Sequence, residues 1–587
     1  MFLTKVAPLS KIPRPAPQFL TYFTSKKIKR GALVLVPLRK KKVKAIVFAQ
    51  KEAINLKLEI KKTQYQIKPI AKIIETEPVI NEKQIELAKW MADYYWSSFG
   101  KVLSLFLKKQ KKKIKNTLPQ KKSFSKKLII APNNFCPKEE IKKALFEKKE
   151  VLFLVPEKTK ENFWKKKLKE FKSENLIIGT RSKLFLPFSN LGLIVLTEEG
   201  NKNYKSQMEP RYNATKVAEK LAKIWQARLI LISNFPSPET YFSTKEKEKT
   251  KEESNIKKTI IDMRKIKPWK PLSDHLITSI KNHLQANEKI LLVINRKGSA
   301  TTLFCQDCGW VKKCQDCDLP LTYHQEESPK LICHYCAKEY EVPKLCENCK
   351  SWNLKTLGVG IQKVEKELKN IFGEKNIFCL YKKEKKDKAK QEEMIENFLN
   401  SKSSILLTTS LFLSYPVFEK FPLVGVISLD ALLSQPDFKI EEEGARIISS
   451  LLSLCKKEFI IQTFFPKSNA ISWLKKEKSC FYDKILAERK KFDYPPFSFL
   501  IKISIIHKNR EKIIKESFAF KEKIKEKFSQ KELEILGPSP AFIEKVKRKY
   551  HWKLLIKLKK DDRKIKTALL ALTPPHFKVD IDPERII

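Results

Sequence analysis

The sequence predicts an α/β multidomain protein, and three observations carry that prediction. At 587 residues the chain is too long for a single hydrophobic core. Apolar strands alternate with charged helices through the middle of the chain, which is typical of parallel sheets built from βαβ units. Four C-x-x-C pairs lie close together inside that α/β region and indicate a separate metal-binding module.

The charge of the chain predicts a nucleic acid as its partner. Lys and Arg number 120 against 66 Asp and Glu, which gives a net charge of +54. Such a surface attracts polyanions because binding releases their condensed counterions. No stretch approaches the roughly 18–20 apolar residues of a membrane span, and the first residues lack the apolar segment of a signal peptide. These observations predict a cytoplasmic protein with no membrane partner.

Residues 1–107 are expected to form a β-rich N-terminal domain that ends in a helical segment. Leu33–Val36 and Val43–Phe48 have the composition of strands and are separated by a turn. From Asn81 to Leu107 apolar residues recur at helical spacing. Residues 108–127 form a basic, polar run that we interpret as a solvated linker, and a segment that follows DNA is the alternative.

Three further domains are predicted after this linker. Alternating strands and helices in residues 128–285 predict a first parallel-sheet lobe. A second α/β lobe is predicted over residues 286–304 and 352–466, interrupted by the cysteine-rich stretch 305–351. Residues 467–587 mix helices and strands again and predict a C-terminal domain.

The cysteine-rich stretch predicts two closed zinc sites. Eight of the twelve cysteines form its four C-x-x-C pairs: Cys305, Cys308, Cys314, Cys317, Cys333, Cys336, Cys346 and Cys349. Two such turns supply the four tetrahedral sulfurs that a structural Zn²⁺ requires. Disulfides are the alternative, and a reducing compartment disfavours them. Spacing alone leaves open whether the pairs bind zinc in sequence or nested.

Several short stretches follow one another in a characteristic order along most of the chain. They are Gly179–Ser182, Leu184–Phe188, Pro210–Tyr212, Asn295–Gly298, Cys305–Trp310, Gly358–Gly360, Pro436–Phe438, Glu488–Lys490, Tyr494–Phe497 and Leu536–Pro538. In this order they resemble the PriA family of primosomal replication-restart helicases. The resemblance implies a β-rich N-terminal DNA-binding domain, two RecA-like helicase lobes, a double-zinc insertion in the second lobe and an α+β C-terminal domain.

The resemblance also implies how the cysteines pair. The outer pairs would hold one Zn²⁺, through Cys305, Cys308, Cys346 and Cys349. The inner pairs would hold the other, through Cys314, Cys317, Cys333 and Cys336.

The ATPase motifs of that family are degenerate in this sequence. Strand Leu128–Ile130 runs into Ala131–Pro137, which contains two prolines and no glycine, whereas a Walker A loop needs glycines, a Lys and a Ser or Thr. The D-E-x-H box reads Thr197–Gly200, so the Mg²⁺ carboxylate is lost and Glu198 is a remnant. The arginine-finger segment, Ile447–Phe459, contains no Arg. The sequence therefore predicts that the chain binds neither ATP nor Mg²⁺ and has no catalytic residue.

The resemblance indicates where DNA contacts are expected. By position, the family's pocket for a free 3′ end falls at Leu20, Thr21, Arg39 and Lys68, of which only Lys68 keeps the family's residue type. Arg39 and Lys68 could still hold a phosphate. The other expected contacts lie in or beside the matching stretches and are Arg181, Arg211, Arg296 and Lys297. The family's S-A-T-like coupling motif corresponds to Ser233–Pro236.

The preferred hypothesis is a degenerate PriA-like protein without helicase activity. It would bind forked DNA or junctions of single and double strands as a monomer, and recruit primosome, single-strand-binding or helicase-loading proteins. One alternative is an active ATP-dependent 3′-to-5′ DNA helicase with divergent motifs, and another is a general basic nucleic-acid-binding protein. All three predict steep salt dependence, so DNA-structure preference and ATP turnover separate them.

Overall fold

The computed structural model describes five β-sheets, with the helices that cover them, in the part of the chain that it defines. The described residues are 1–52, 67–107, 123–250, 255–266, 270–294, 301–305, 310, 312, 315, 321–324, 329–332, 338–352, 354–357, 361–381, 388–417, 419–433, 437–559 and 562–586. Outside them lie most of the predicted linker 108–127 and the predicted site residues Arg296, Lys297, Cys308, Cys314, Cys317, Cys333 and Cys336.

The N-terminal domain is built on a six-stranded sheet with the order β5-β2-β1-β4-β3-β6. Its strands are β1 (Phe2–Pro8), β2 (Leu20–Thr24), β3 (Leu33–Leu38), β4 (Lys41–Glu52), β5 (Lys68–Pro69) and β6 (Lys72–Glu75). Alternate side chains point inward, so Val34, Val36, Ala45 and Val47 form a buried core. The two strands predicted between Leu33 and Phe48 are confirmed.

The helical segment after this sheet is two helices, α1 (Glu82–Tyr94) and α2 (Phe99–Leu107). Asn81 caps α1 with its side chain, which accepts a hydrogen bond from the Gln84 N–H at 2.8 Å, and the Gln84 side chain accepts from the Asn81 N–H at 3.1 Å. The helices separate at Trp96, whose φ of +49° is incompatible with a continuing right-handed helix.

Lobe 1 is a parallel sheet with the strand order β12-β7-β11-β10-β8-β9. Its strands are β7 (Ser125–Ile130), β8 (Glu150–Leu154), β9 (Leu176–Gly179), β10 (Leu191–Leu196), β11 (Arg228–Ser233) and β12 (Glu246–Lys249). Its helices are α3 (Lys138–Phe146), α4 (Lys158–Lys167), α5 (Ala214–Trp225) and α6 (Pro238–Ser243). The alternation of strands and helices predicted from residue 128 onward is confirmed.

Lobe 2 is a second parallel sheet, with the order β13-β23-β22-β14-β21-β20. Its strands are β13 (Lys257–Asp262), β14 (Lys289–Ile294), β20 (Ile377–Leu380), β21 (Ser404–Thr408), β22 (Phe421–Ser428) and β23 (Cys455–Thr463). Its helices are α7 (Asp274–Gln285), α8 (Ile361–Phe372), α9 (Lys388–Asn400), α10 (Asp430–Leu433) and α11 (Ile440–Leu452).

The structure corrects the boundary between the lobes that the sequence predicts at residue 285. Strand β13 pairs with β23 along its whole length, and Leu276 and Ile280 of α7 lie in the core of lobe 2. Residues 257–285 therefore belong to lobe 2. Sequence alternation identifies strands but does not say which sheet a strand joins, and β13 finds its partner about two hundred residues later in the chain.

The zinc module forms an antiparallel sheet with the order β18-β17-β16-β15-β19. Its strands are β15 (Thr301–Cys305), β16 (Thr322–His324), β17 (Lys330–Ile332), β18 (Glu339–Glu341) and β19 (Leu354–Leu357). The module lies between β14 and α8, as an insertion in lobe 2. Because β15 and β19 pair and close its base, the module extends beyond the predicted range 305–351.

The C-terminal sheet has the order β25-β26-β24-β27. Its elements are β24 (Phe499–His507), α14 (Arg510–Lys527), β25 (Leu533–Val546), β26 (Lys549–Leu558), α15 (Arg563–Leu572) and β27 (Lys578–Ile581). The preceding helices, α12 (Asn469–Ser472) and α13 (Lys478–Lys491), bury Ile471, Phe481 and Ile485 in the core of lobe 2. The predicted domain start at residue 467 is therefore too early, because apolar burial attaches these helices to lobe 2.

One hydrophobic core joins three domains. It includes Met91 of α1, Leu221 of α5 and Ile501 of β24, so the N-terminal helices, lobe 1 and the C-terminal sheet pack on each other. Burial of this kind fixes domain orientation more firmly than a polar interface does. The surfaces where these domains meet are therefore defined parts of the fold.

Candidate functional site

The candidate nucleotide site is the cleft between the two lobes. Functional groups of parallel sheets gather at the carboxyl ends of the strands. Here the segment that follows β11 contacts α11 of lobe 2, through Asn234 and Ser450. A cavity of about 620 Å³ occupies the cleft, and Glu157, Glu198 and Arg446 are among its lining residues.

The loop 131–137 follows β7, where an ATPase of this fold has its phosphate-binding loop. The Ala131 N–H donates to the carbonyl of Ser233 at 3.1 Å, and the Phe135 N–H donates to the carbonyl of Pro132 at 2.9 Å. A phosphate cradle requires several backbone N–H groups directed toward the ligand. These two donors are directed into the protein instead.

Helix α3, which begins after this loop, is also unsuited to a phosphate. It starts behind Pro137, which has no N–H, and it carries Glu139 and Glu140 in its first turn. Carboxylates near a helix N-terminus take the place that favours an anion and repel a second one. Loop and helix together do not fit the phosphates of a nucleotide.

Thr197 stands where the family's Mg²⁺ carboxylate would lie. Its side chain is fully buried, and its hydroxyl donates to the carbonyl of Leu154 at 3.1 Å. The Tyr204 hydroxyl donates to the carbonyl of Thr197 at 2.8 Å and holds the same backbone in place. Mg²⁺ sites need carboxylates, and a committed hydroxyl carries no charge. This position does not fit Mg²⁺.

Glu198 is neutralised inside the protein. Lys160 Nζ lies 2.6 Å from Glu198 Oε1, with side chains that are 3% and 9% exposed. Asn201 donates to the other carboxylate oxygen at 3.2 Å. The φ of Glu198 is +53°, a strained conformation for this residue type, which the ion pair and the surrounding bonds hold in place. Burial raises the pKa of neighbouring Glu157, with Lys160 opposing and Glu198 adding to that shift.

Sequence reasoning missed Lys160. It lies in α4, a helix with five lysines along its length, where nothing distinguishes the one that is buried. The sequence also assigned no role to the adjacent Glu199. Its carboxylate accepts from the Ser237 N–H at 2.9 Å and from the Thr240 hydroxyl at 2.7 Å, and so it holds the start of α6.

The segment Ser233–Pro236 crosses from lobe 1 into lobe 2. Phe235 is fully buried within the hydrophobic core of lobe 2, where its ring centroid lies 4.9 Å from that of Phe481. The Tyr482 hydroxyl donates to the carbonyl of Pro236 at 2.9 Å. The position of the family's coupling motif is therefore occupied by an apolar anchor between the lobes.

Hydrogen bonds reinforce this anchor across the cleft. Asn234 donates to the Ser450 hydroxyl at 3.2 Å, and the Ser449 hydroxyl donates to the Asn234 carbonyl at 3.4 Å. Farther along, the Thr159 hydroxyl donates to the Ser414 carbonyl at 2.7 Å. Ser449 and Ser450 belong to the segment where the family has its arginine finger.

Arg446 is a cleft residue that sequence reasoning also missed. It directly precedes the segment 447–459, where the resemblance places the arginine finger. Its Nε donates to the Phe235 carbonyl at 3.3 Å, and Nη2 lies 3.8 Å from Glu442 Oε1. A Cβ at Gly200 would meet Nη2 at 2.6 Å, so glycine at this position is what allows the guanidinium its close approach.

Arg489 continues this charge network behind the cleft. Its guanidinium contacts Glu442 at 2.7 Å and Glu239 at 3.1 Å, and it donates to the carbonyl of Pro495 at 2.9 Å. Burial raises the pKa of Glu442 while Arg489 opposes that shift. The network joins α6 of lobe 1 to α11 and α13 of lobe 2.

One described C-x-x-C turn of the zinc module has the geometry of a metal knuckle. The Cys349 N–H donates to the Cys346 sulfur at 3.4 Å, and the Lys350 N–H donates to the Cys346 carbonyl at 2.9 Å. Lys350 has a φ of +61°, so the chain reverses directly after the second cysteine. A backbone N–H aimed at a sulfur stabilises a thiolate, and this turn therefore fits Zn²⁺ ligation.

Two predicted DNA contacts lie on the sheet of the N-terminal domain. Arg39 is exposed in the turn between β3 and β4 with a φ of +55°, and Lys68 is exposed in β5. Tyr22 links the two places, because it lies opposite Lys68 in register and its hydroxyl donates to the Pro37 carbonyl at 2.8 Å. Their contact with DNA stays a prediction.

The two predicted contacts in lobe 1 have different surroundings. The Arg181 guanidinium donates to the Asn203 carbonyl and also bonds the hydroxyl of Tyr212, whose pKa burial raises to about 12. Arg211 instead faces the C-terminal domain, where its Nη1 lies 3.4 Å from the Val579 carbonyl. Arg181 is thus engaged within lobe 1, whereas Arg211 lies at a domain junction.

Two parallel α/β lobes around a cleft, with an inserted cysteine-rich module, define a helicase-type fold. Three family models match the N-terminal domain, the cysteine-rich insertion and the C-terminal domain. They are the 3′DNA-binding domain (3′BD) of PriA over residues 11–108, the PriA DNA helicase Cys-rich region (CRR) domain over 314–339, and the primosomal protein N C-terminal domain over 490–584. The chain belongs to the PriA family.

Curated relatives support this assignment. The replication restart protein PriA of Borreliella burgdorferi is 30% identical over 90% of this chain and 91% of its own length. The Helicobacter pylori (strain 26695) protein of that name is 27% identical over 87% of this chain and 88% of its own. That of Bacillus subtilis is 28% identical over 71% of this chain, and the match spans 53% of its length. Among the described residues, no helix is long and apolar enough to cross a membrane.

Proposed function

We propose that this protein binds branched or forked DNA as a replication-restart factor and helps to assemble the primosome at stalled forks, without unwinding DNA itself. The DNA-binding half is supported by the family, by the 3′DNA-binding domain match at residues 11–108 and by the net charge of +54. The part of the proposal that excludes unwinding rests on one observation, which is that Glu198 and Thr197 in the cleft are engaged with protein atoms.

In that cleft the two residues at the positions of the family's D-E-x-H carboxylates are engaged with protein atoms. Glu198 pairs with Lys160, and the Thr197 hydroxyl bonds the Leu154 carbonyl. Catalysis of phosphoryl transfer depends on positioned cations and donors around the phosphates. A cleft without a phosphate cradle or metal carboxylate favours a structural role for both lobes.

The anchor between the lobes supports the same conclusion. Helicases of this architecture convert nucleotide binding into relative motion of two lobes, which requires an interface that opens. Phe235 is instead inserted in the core of lobe 2, and its separation would expose a large aromatic side chain at a cost of about 2–3 kcal/mol. The proposal is that the lobes persist as one fixed, basic scaffold.

The remaining parts of the proposal follow from this scaffold role. The cysteine-rich module would hold two structural Zn²⁺ ions, with the pairing of outer and inner C-x-x-C turns described above. Partners would include DNA with forks or junctions, and single-strand-binding or helicase-loading proteins. The protein would act as a cytoplasmic monomer.

The first test is ATP hydrolysis by the purified, zinc-loaded protein, with and without forked DNA. Glu198→Gln is the control, because it removes the charge of the one remaining motif carboxylate. The expected result is no DNA-stimulated turnover above that control. Turnover that Glu198→Gln abolishes would instead establish an active ATPase and favour the alternative of a helicase with divergent motifs.

The second test compares a fork with a plain duplex of equal length at the same salt concentration. Tighter binding to the fork is expected, because a scaffold that reads strand geometry gains contacts that a duplex does not offer. Equal affinities would favour a general basic nucleic-acid-binding protein. Native mass spectrometry of the same preparation should show two Zn²⁺ ions per chain, and a smaller number would contradict the zinc assignment.

A further inference from the structure

A polar cavity of about 300 Å³ lies where the N-terminal domain, lobe 1 and the C-terminal domain meet. Segments 11–14 and 95–98 of the N-terminal domain line it, together with 209–211 of lobe 1 and 573–579 of the C-terminal domain. We call it the basic notch, and define it by the four cationic side chains in its lining: Lys11, Arg14, Arg211 and Lys578.

Cations outnumber carboxylates in the basic notch. Glu209 is the one carboxylate among its described lining residues, and it lies 2.9 Å from Lys11 Nζ. The charge of Arg14 is balanced by Asp93, which lies outside the notch lining and 2.9 Å from the guanidinium. Arg211 has only the long contact with a backbone carbonyl, and Lys578 forms no ion pair within the part of the chain that the structure describes. Two cations are therefore left without a counter-charge.

The titration of Lys578 is consistent with that excess. Burial lowers the pKa of Lys578, and the nearby charges of Arg211, Lys549 and Lys11 lower it further. An anion in the basic notch would oppose the effect of these neighbouring cations, since it would favour the charged ammonium. The site thus has a field that attracts anions, and the segments that carry its cations belong to three packed domains.

We propose that the basic notch holds a phosphodiester of the DNA backbone between Arg211 and Lys578. This inference rests on the proposed function, because it names a place where the DNA would be held. The cavity has room for a phosphate group, Arg211 can bind two phosphate oxygens at once, and Lys578 contributes a second point charge. An acidic peptide would fit less well, because the cavity wall is mainly polar and offers little apolar recess for its other side chains.

Because the notch lies where three domains meet, a phosphate bound there would contact more than one domain. One phosphate there would bridge Arg211 of lobe 1 and Lys578 of the C-terminal sheet, with Lys11 of the N-terminal domain close by. Because the three domains share one hydrophobic core, the backbone segments that carry these cations have a fixed arrangement. Backbone contacts with fixed spacing set the register and orientation of DNA on a protein.

The test uses the full-length, zinc-loaded protein with the double substitution Arg211→Glu and Lys578→Glu. Its matched control is Lys523→Glu with Lys531→Glu, which replaces two exposed lysines of the C-terminal domain and changes the formal net charge by the same amount. Binding of a fluorescent fork is measured by anisotropy at several salt concentrations. We expect the notch variant to bind about tenfold more weakly, with a salt slope reduced by about one, and the control to change less than about threefold.

The outcomes separate this inference from its alternatives. A notch variant that binds the fork like its control would overturn the inference, even where the wild type prefers forks. Loss of binding to oligoglutamate with fork binding retained would also overturn it, and would identify an acidic protein as the ligand. If the wild type itself shows no fork preference, the proposed function fails, whereas a notch-specific loss on plain duplex would still support the phosphate contact. Arg211→Gln with Lys578→Gln repeats the test should charge reversal lower the melting temperature.

Discussion

The interlobe cleft and the basic notch are both charged cavities between domains, and they differ in how their charges are balanced. In the cleft, Lys160 pairs with Glu198, and behind the cleft Arg489 pairs with Glu239 and Glu442. In the notch, by contrast, cations exceed carboxylates in the described lining.

This difference indicates how a cavity that binds no ligand can be distinguished from one that is suited to a ligand. Buried charges are costly unless they are paired, so a cavity that has no ligand to neutralise them must pair them internally. A cavity that retains an excess of one sign is suited to a ligand of the other sign. By this criterion the paired charges favour a structural role for the cleft, and the excess of cations favours the proposed binding site in the notch.

Removing one partner of the buried ion pair in the cleft should produce the largest effect on stability. Lys160→Ala leaves Glu198 buried without its partner, and we expect the free energy of unfolding to fall by about 3–5 kcal/mol. Calorimetry or urea unfolding would measure the loss. Lys158→Ala, on the exposed side of the same helix, should change stability by less than about 0.5 kcal/mol. Equal effects of the two substitutions would show that the pair does not balance the cleft.

Removing the apolar anchor should have the next largest effect. Phe235→Ala leaves a cavity in the core of lobe 2 and should cost about 3 kcal/mol of stability. It should also increase hydrogen exchange at Asn234 and along α11, because the lobes would separate more often. Phe146→Ala is the control, since that ring is 90% exposed. Unchanged exchange in the cleft would show that Phe235 does not hold the lobes together.

Removing the one carboxylate of the described notch lining should strengthen the binding of forked DNA. Glu209→Gln deletes the carboxylate that pairs with Lys11 and keeps an acceptor for the Ser97 hydroxyl, which lies 3.4 Å away. Fork affinity should rise by about two- to fivefold at low salt, and the gain should vanish at high salt because exposed charges are screened. Weaker binding would mean that Glu209 orders the notch for its ligand.

The smallest effect concerns a lysine of the C-terminal sheet. Burial, followed by the nearby Lys502, lowers the pKa of Lys553 to about 8. The unfolded chain therefore binds more protons than the folded chain between about pH 8 and 10.5, and Lys553 makes stability rise with pH in that window. In Lys553→Met this component should disappear, so the melting temperature of the wild type relative to the variant should increase from pH 8 to 10.5. A constant difference would show that the pKa of Lys553 is not lowered.

Much of the fold could be predicted from local patterns. Strand-like composition predicted β3 and β4 of the N-terminal sheet, and the alternation of apolar strands with charged helices predicted both lobes. Domain boundaries could be predicted less well from the sequence. The residues 257–285 looked like a continuation of lobe 1, and only the pairing of β13 with β23 assigns them to lobe 2.

The candidate site was predicted mainly through what it lacks. Replacement of the metal carboxylate by Thr197 and the proline-containing loop after β7 are visible in the sequence, because a motif requires particular residue types at particular positions. The residues that fill the vacated cleft are not visible. Lys160 is one lysine among many in its helix, and Arg446 matches no motif position.

The sequence by itself determined the domain content, the four C-x-x-C pairs, the excess of positive charge and the loss of the nucleotide motifs, because these depend on composition and short-range spacing. The tertiary structure alone decided that Phe235 belongs to the core of the opposite lobe and that Arg211 and Lys578 share a cavity. Those residues are separated by hundreds of positions in the chain. Their proximity is set by how three domains bury one common core, and no local pattern records that arrangement.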